Sequence, residues 1–367
     1  MPIISRVVEM ANTSKRIGYI DALRGLTMIL VVFGHLYMPQ ETPANTYLLY
    51  HVRMPMFFFI SGFISFRREQ SWSGRETISR LGEKVRTMVI PTLAIGLLYV
   101  SIRDGIHVSE LFTHHAKMGY WFTISLFNML VFYYTARYIH QRRNTITMEQ
   151  FTKRLFWISI IMWLLLIDLK ALGDINHILT IQKTAKYLPF FAFGALCSCH
   201  RESFHRLVDD KKKSIVAIIL LVTLSLSLIV LNKHRNLIAS HTDMQVVWTS
   251  GLVIKTLMGY LGIYVIFGIF RRFGKFFSEN KYVGKPLQYV GRRTLDIYLL
   301  HYFVLAAIPA TIKPFIADTS NLPLSIVIGI ASAIVIVAIS LAISRTLRLS
   351  DHVAYYLLGE RKMPGKR

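Results

Sequence analysis

Long apolar runs separated by short polar gaps make up most of this chain. Ten runs stand out, at about 22–38, 47–66, 88–101, 120–139, 155–170, 185–199, 214–231, 249–270, 294–312 and 323–343. Most approach the roughly 17–25 residues that a helix needs to cross a bilayer. The third and sixth are short enough to begin or end in the interface. There is no repeat at a fixed period, no low-complexity tract and no linker that would separate domains. The pattern predicts an all-α fold, a polytopic membrane bundle of about ten transmembrane helices. After Arg345 a short apolar-aromatic patch, Asp351 to Leu358, leads into RKMPGKR, a basic tail suited to the anionic inner leaflet.

Composition agrees with the pattern. Of 367 residues 53% are hydrophobic and only 17% charged, against roughly a quarter charged in soluble proteins. Mean hydropathy is +0.43. The formal charge of +23 would suit nucleic acid, but the cations sit in short loops between the apolar runs, so topology explains them and no nucleic-acid partner is expected. With the run-edge cations Arg137, Lys170 and Lys186 counted in the adjoining gaps, alternate gaps hold 32 Lys and Arg against 8, and three more lie inside runs. The positive-inside rule therefore puts both termini in the cytoplasm. The first twenty residues are too polar to read as a signal peptide. The two cysteines, Cys197 and Cys199, make no disulfide framework, and with no second cluster beside them no metal site is expected.

Chemistry shows first as polar residues that lipid should reject. The run IDALRGLTMILVVFGHLYMP, Ile20 to Pro39, contains Arg24 and His35. A charge at membrane depth costs a few kcal/mol or more unless it faces a cavity or a partner. The two are eleven residues apart, close to a whole number of turns, so they share a helix face about 16 Å apart. That is about the reach of an extended pantetheine arm: the cation would hold coenzyme A phosphates while the imidazole meets the thioester. Each also has a bland reading, Arg24 as a snorkelling boundary anchor and His35 as a polar residue packed between helices.

The second run contains HVRMPMFFFISGF. Pro55 removes a helix hydrogen bond, Arg53 lies just before it, and Ser61 with Gly62 makes a close-approach surface. The loop that follows carries Arg80, Lys84 and Arg86 on the same side as Arg24, as a topology determinant or as a binder of an anionic cytoplasmic ligand. In the ninth run Asp296, Tyr298 and His301 form either a hydrogen-bonded interhelical cluster or part of a site. Lys255 is a cation within the eighth run. A polar loop with Asp104, His107, Glu110, His114 and His115 precedes Trp121 and reads as solvated or as sugar-facing.

Asp21, Arg24, Gly25 and His35 resemble the D-x-L-R-G and R/K-x10-H motif of the acyltransferase-3 family, multi-pass membrane enzymes that O-acylate carbohydrates. Met54 to Phe63 resembles that family's M-P-x-F-F-F-x-S-G-[YF] element. Lys84 to Pro91 is similar to the stretch found in its fucose 4-O-acetylase-like group. Weaker likenesses fall at Tyr120 to Phe122, at Leu188 to Phe191 with Gly194, and at Gly291 with Tyr298 to His301. The resemblance covers about 17–345, an acyltransferase membrane domain, and leaves 346–367 as a basic cytoplasmic tail. It implies an acyl donor, acetyl-CoA in the first instance, a carbohydrate acceptor, and the inner membrane of a bacterial cell. It implies His35 as catalytic base or transient acyl carrier, with His301 as a second catalytic candidate. Arg24, Arg53, Ser61, Lys84 and Arg86 fall to the donor, and Asp21, Trp121 and Tyr298 to the acceptor. Two departures stand out: Arg53 occupies a position where many members carry histidine, and the family's R-x-x-R signature is matched by Lys84 and Arg86 in charge only. Outside the resemblance, a transporter or flippase for an anionic solute would use the same buried Arg and His, and a non-catalytic scaffold would need neither.

Overall fold

The computed structural model describes residues 17–36, 50–67, 72–103, 106–114, 116–166, 173–234, 237–238, 240, 242–309, 311–312 and 322–360. The regular structure of these residues is helical throughout. In chain order the helices are α1 (Gly18–Leu36), α2 (Tyr50–Ser65), α3 (Gly74–Lys84), α4 (Ile90–Ser101), α5 (Trp121–Arg143), α6 (Met148–Leu166), α7 (Gly173–Leu179) and α8 (Ile181–Cys199). They continue with α9 (Arg201–Asp209), α10 (Lys211–Lys233), α11 (Met244–Arg272), α12 (Gly274–Glu279), α13 (Gly284–Arg292), α14 (Thr294–Ala306), α15 (Leu322–Leu347) and α16 (Asp351–Leu357). The described part of each apolar run falls mainly on one helix. The short amphipathic helices α3, α9, α12 and α13 lie in what the sequence shows only as polar gaps.

Among the described residues five stretches are long and apolar enough to cross a membrane: Gly18–Leu36, Gly74–Ser101, Lys211–Lys233, Met244–Arg272 and Pro323–Leu347. The third has a mean hydropathy of 2.9 and yet is only 11% buried within the protein. An apolar face of that extent turned outward belongs against lipid.

Two backbone contacts fix the centre. A Cβ on Gly25 would lie 2.0 Å from the carbonyl oxygen of Leu287, and one on Gly291 would lie 1.8 Å from that of Asp21, so α1 and α13 touch along their backbones. Gly62 and Gly194 do the same for α2 and α8, with virtual Cβ distances of 1.9 Å to the Phe191 oxygen and 2.0 Å to the Phe59 oxygen. Small residues that admit such approach are what helices use to associate where lipid removes the hydrophobic drive. Around these contacts the buried rings divide. Phe58, Phe59, Phe63, Phe191, Phe204 and Phe267 pack on one side, and Phe33, Phe57, Tyr120, Tyr298 and Tyr302 on the other.

Between α3 and α4 the helix widens into a π turn at Val85–Val89. The cause is Pro91. It has no N–H to give to Thr87, so the helix changes register and Ile90 N–H donates to Val85 O. Ser73 and Glu76 form a reciprocal capping box at α3, and Ser350 caps α16.

Candidate active site

Helix α1 carries Arg24 in its second turn and His35 near its last residue, and both line one cavity of about 220 Å³. The walls are completed by Arg53 and Ser61 of α2, Trp121 and Phe122 of α5, Tyr187 of α8, and Thr294, Tyr298 and Tyr302 of α14. Six of the residues singled out in the sequence therefore meet in one space: Arg24, His35, Arg53, Ser61, Trp121 and Tyr298.

Helix α14 runs alongside α1 and touches it at both chemical positions. At one end Arg24 Nη2 donates to Thr294 Oγ1 at 3.0 Å, while Asp21 stands 4.0 Å from the guanidinium. At the other end His35 Nε2 and the Tyr302 hydroxyl are 3.1 Å apart. His301, fully buried, lies behind this pair with its ring 5.3 Å from that of His35 and 4.0 Å from that of Tyr302. Because Ile297 O accepts from His301 Nδ1 at 2.9 Å, that nitrogen carries a proton. Its Nε2 is buried without a hydrogen-bond partner among the described residues.

Arg53 is 3% exposed and lies flat against α1. Its Nη1 donates to Val31 O at 3.4 Å and Leu30 O at 3.5 Å, over a glycine, Gly34, whose Cβ would fall 0.9 Å from that nitrogen. It thus sets a positive charge beside the cavity next to His35. Ser61 Oγ donates to Phe57 O at 2.8 Å and keeps its lone pairs for the cavity. Tyr298 is a tie: its hydroxyl donates to Gly119 O at 2.8 Å and accepts from Phe122 N–H at 3.2 Å, holding the start of α5 in place. Trp121 stacks on Tyr187 with centroids 5.6 Å apart and makes a flat aromatic wall.

The other sequence candidates sit elsewhere. Asp21 does not line the cavity; its backbone oxygen packs against Gly291. Arg86 donates to Glu360 O at 2.8 Å and stacks on Tyr355 at 4.3 Å, so it holds the segment after α15 against the π turn. Lys84 is not among the residues around the cavity. Asp296 is bound by Arg348 with N···O distances of 2.9–3.1 Å and accepts from Ser344 at 2.5 Å. Of the polar loop before Trp121, Asp104 and His115 lie outside the described residues.

Two groups were missed in the sequence. Tyr302 looked like one aromatic residue among many, since only α14's register against α1 aims it at His35. Arg292 and Arg293 were counted as loop charges. With Arg348 and Glu360 they line a wider opening of about 690 Å³ that shares Met88 and Leu295 with the main cavity.

Such a space can hold an elongated molecule with an anionic head at Arg24 and a reacting carbon at His35. A family model described as an acyltransferase domain matches residues 17–345. No curated protein matches the chain, and no solved structure does. With the family model covering most of its length, the chain belongs to the acyltransferase-3 family of membrane proteins and is an O-acyltransferase.

Proposed function

We propose that the enzyme moves an acyl group, acetyl in the first instance, from cytoplasmic acyl-CoA to a sugar hydroxyl. The acceptor is a cell-surface polysaccharide, a lipopolysaccharide or a lipid-linked glycan precursor, and the setting is a bacterial inner membrane. The observation that carries this reading is the single cavity with Arg24 at one end and His35 at the other. Ten membrane spans with both termini cytoplasmic fit the 32 to 8 division of cations. The helices that carry the apolar runs suit the same topology, five of the described stretches being long and apolar enough to cross a membrane on their own. They form one membrane domain over 17–345, followed by a basic tail on the cytoplasmic surface.

In this reading the donor enters through the arginine-lined opening beside α13. Arg24 takes its phosphates, the pantetheine arm runs along the shared face of α1, and the thioester arrives at His35. His35 removes the proton from the acceptor hydroxyl. The oxygen attacks the carbonyl carbon, the carbon–sulfur bond breaks, and the coenzyme thiolate leaves and takes up a proton. Transient transfer of the acyl group to the imidazole reaches the same products in two steps. Tyr302 positions the ring, Arg53 supplies positive charge for the developing oxyanion, and Trp121 with Tyr187 offers a face for a sugar.

Replacement of His35 by Gln is the test. An amide keeps size and hydrogen bonding but has no basic nitrogen. Purified His35→Gln should accumulate and bind acetyl-CoA as before, yet lose transfer by a factor on the order of 10² or more. Acyl-CoA consumption is to be followed with no gradient across the membrane, so that transport contributes nothing. Transfer surviving within about threefold moves the chemistry away from His35.

A further inference from the structure

The outer ends of α8 and α11, in the topology proposed above, enclose a second groove of about 290 Å³ lined by Gln182, Lys183, Lys186, Trp248, Leu252 and Lys255. Among the described residues that line it, three of six are lysines and none is a carboxylate. This is an improbable place to find them. The positive-inside rule depletes lysine on the outer side, which holds only 8 of the chain's 43 cations, and a lysine within a span, as Lys255 is, is disfavoured anywhere. Like charges crowd here: Lys183 feels both Lys186 and Lys117, and His51 feels Lys255, Lys186 and Arg53. Such repulsion is relieved when an anion occupies the site.

The groove also adjoins the wall of the reaction cavity. Lys183 Nζ sits 4.6 Å from the centre of the Trp121 ring, and Lys186 Nζ sits 5.5 Å from that of Tyr187. Those two rings are the stacked wall of the main cavity. A ligand whose charge rests on the lysines therefore lies against aromatic faces that lead toward His35.

We propose that this groove binds an acid group, carboxylate or phosphate, on the acceptor glycan, and so selects acidic over neutral acceptors. Trp248 provides a ring face beside the charge, and Gln182 an amide for a hydroxyl. The proposal rests on the acyltransfer reading for what happens to the ligand afterwards, but anion binding in the groove is measurable without turnover.

The experiment uses the full-length protein in nanodiscs of zwitterionic lipid, with tryptophan fluorescence as the readout. The probes are hexaglucuronate, glucose 1-phosphate and the neutral cellohexaose. Saturable binding of an acidic probe is expected, with cellohexaose at least about tenfold weaker, as the loss of a charge-assisted contact requires. Lys183→Gln/Lys255→Gln should weaken the acidic probe by a similar factor while leaving acetyl-CoA hydrolysis unchanged. Lys186→Glu, at an exposed position where folding is not at stake, should do the same. Equal binding of acidic and neutral probes, or acidic binding that survives both variants, overturns the proposal. So does loss of acidic binding in nanodiscs of anionic lipid, which would assign the groove to headgroups. Lys186→Cys should react with a membrane-impermeant maleimide only from outside intact cells, and reaction only from the cytoplasmic side overturns it as well. Failure of acetyl-CoA hydrolysis in the unaltered protein would count against the acyltransfer reading alone.

Discussion

Tyr302 is the residue whose role is easiest to get wrong, and Tyr302→Phe separates the possibilities. Its ring is fixed independently of its hydroxyl. It packs against Tyr120, Tyr99 and His301, and Gly119, at φ +99°, lies so close that a Cβ there would fall 2.1 Å from the ring's Cζ. Phenylalanine keeps all of this and removes only the contact to His35 Nε2 at 3.1 Å. One neutral hydrogen bond is worth about 0.5–1.5 kcal/mol, which corresponds to about a two- to thirteenfold loss in kcat. A hydroxyl that stabilises the transition-state oxyanion directly would instead cost about 10²–10³. The small effect is expected, with the KM for acetyl-CoA unchanged, because the proposed donor geometry puts its phosphates at the other end of α1. The double variant carries the decisive measurement. If Tyr302 acts through His35, adding Tyr302→Phe to His35→Gln should lower kcat no further, since the ring it orients is gone. Transfer by purified protein, with both single variants and the double measured on matched preparations, gives the cycle. Multiplicative losses refute the reasoning and make Tyr302 a participant in its own right.

Three further outcomes follow from the same geometry. Arg24→Lys keeps the charge but loses the planar fork, so affinity for acetyl-CoA measured by calorimetry should fall by about tenfold while thermal stability holds. Gly25→Ala and Gly82→Ala should have opposite signs in a thermal-unfolding assay. The first drives a methyl to 2.0 Å from the Leu287 backbone oxygen, which cannot swing aside, and should cost about 1–3 kcal/mol. The second, in the interior of α3, meets nothing within 4 Å and should stabilise by about 0.5–1 kcal/mol. Acid should loosen the protein through His205 of α9, which burial, helped by Arg271 and Arg201, holds down at about 4 from an ordinary 6.5. Between those values the unfolded chain binds the extra proton, so stability is complete above about pH 6.5 and declines toward pH 4. His205→Gln should flatten that part of the pH–stability curve.

How much of this was legible in the sequence depends on the kind of signal. Apolar length is written locally, so each of the ten runs marks a helix, although α6 begins well before its run and α14 ends well before its run does. The amphipathic helices α9 and α13 were not foreseen, because α9 reads RESFHRLVD, a polar loop to any hydropathy window. Arg24 and His35 were legible because lipid makes a polar residue conspicuous and helix geometry makes an eleven-residue spacing meaningful. Arg86 was read as a donor ligand on charge and side alone. In the structure it is engaged by Glu360, a contact across 274 positions that no local pattern encodes. Tyr298 was read as a substrate residue, and it does line the cavity, but its hydroxyl is committed to Gly119 and Phe122.

The residues that were missed share one cause. Tyr302, Arg292 and Arg293 become chemical only through the register of α13 and α14 against α1. That register is set by Gly25 and Gly291, where a single methyl group would force the backbones apart. The Arg–Gly pair of the first motif therefore has a divided task. Arg24 reaches into the cavity, while the glycine beside it admits α13 and brings Arg292 and Arg293 to the wider opening next to the cavity. Helix α14 follows directly, with Thr294 on Arg24 and, two turns on, Tyr302 on His35. A motif that reads as one binding residue plus a neighbour is physically a binding residue plus the hinge on which the rest of the site is hung. For this reason Gly25→Ala should disturb donor affinity and transfer together, whereas His35→Gln should disturb transfer alone.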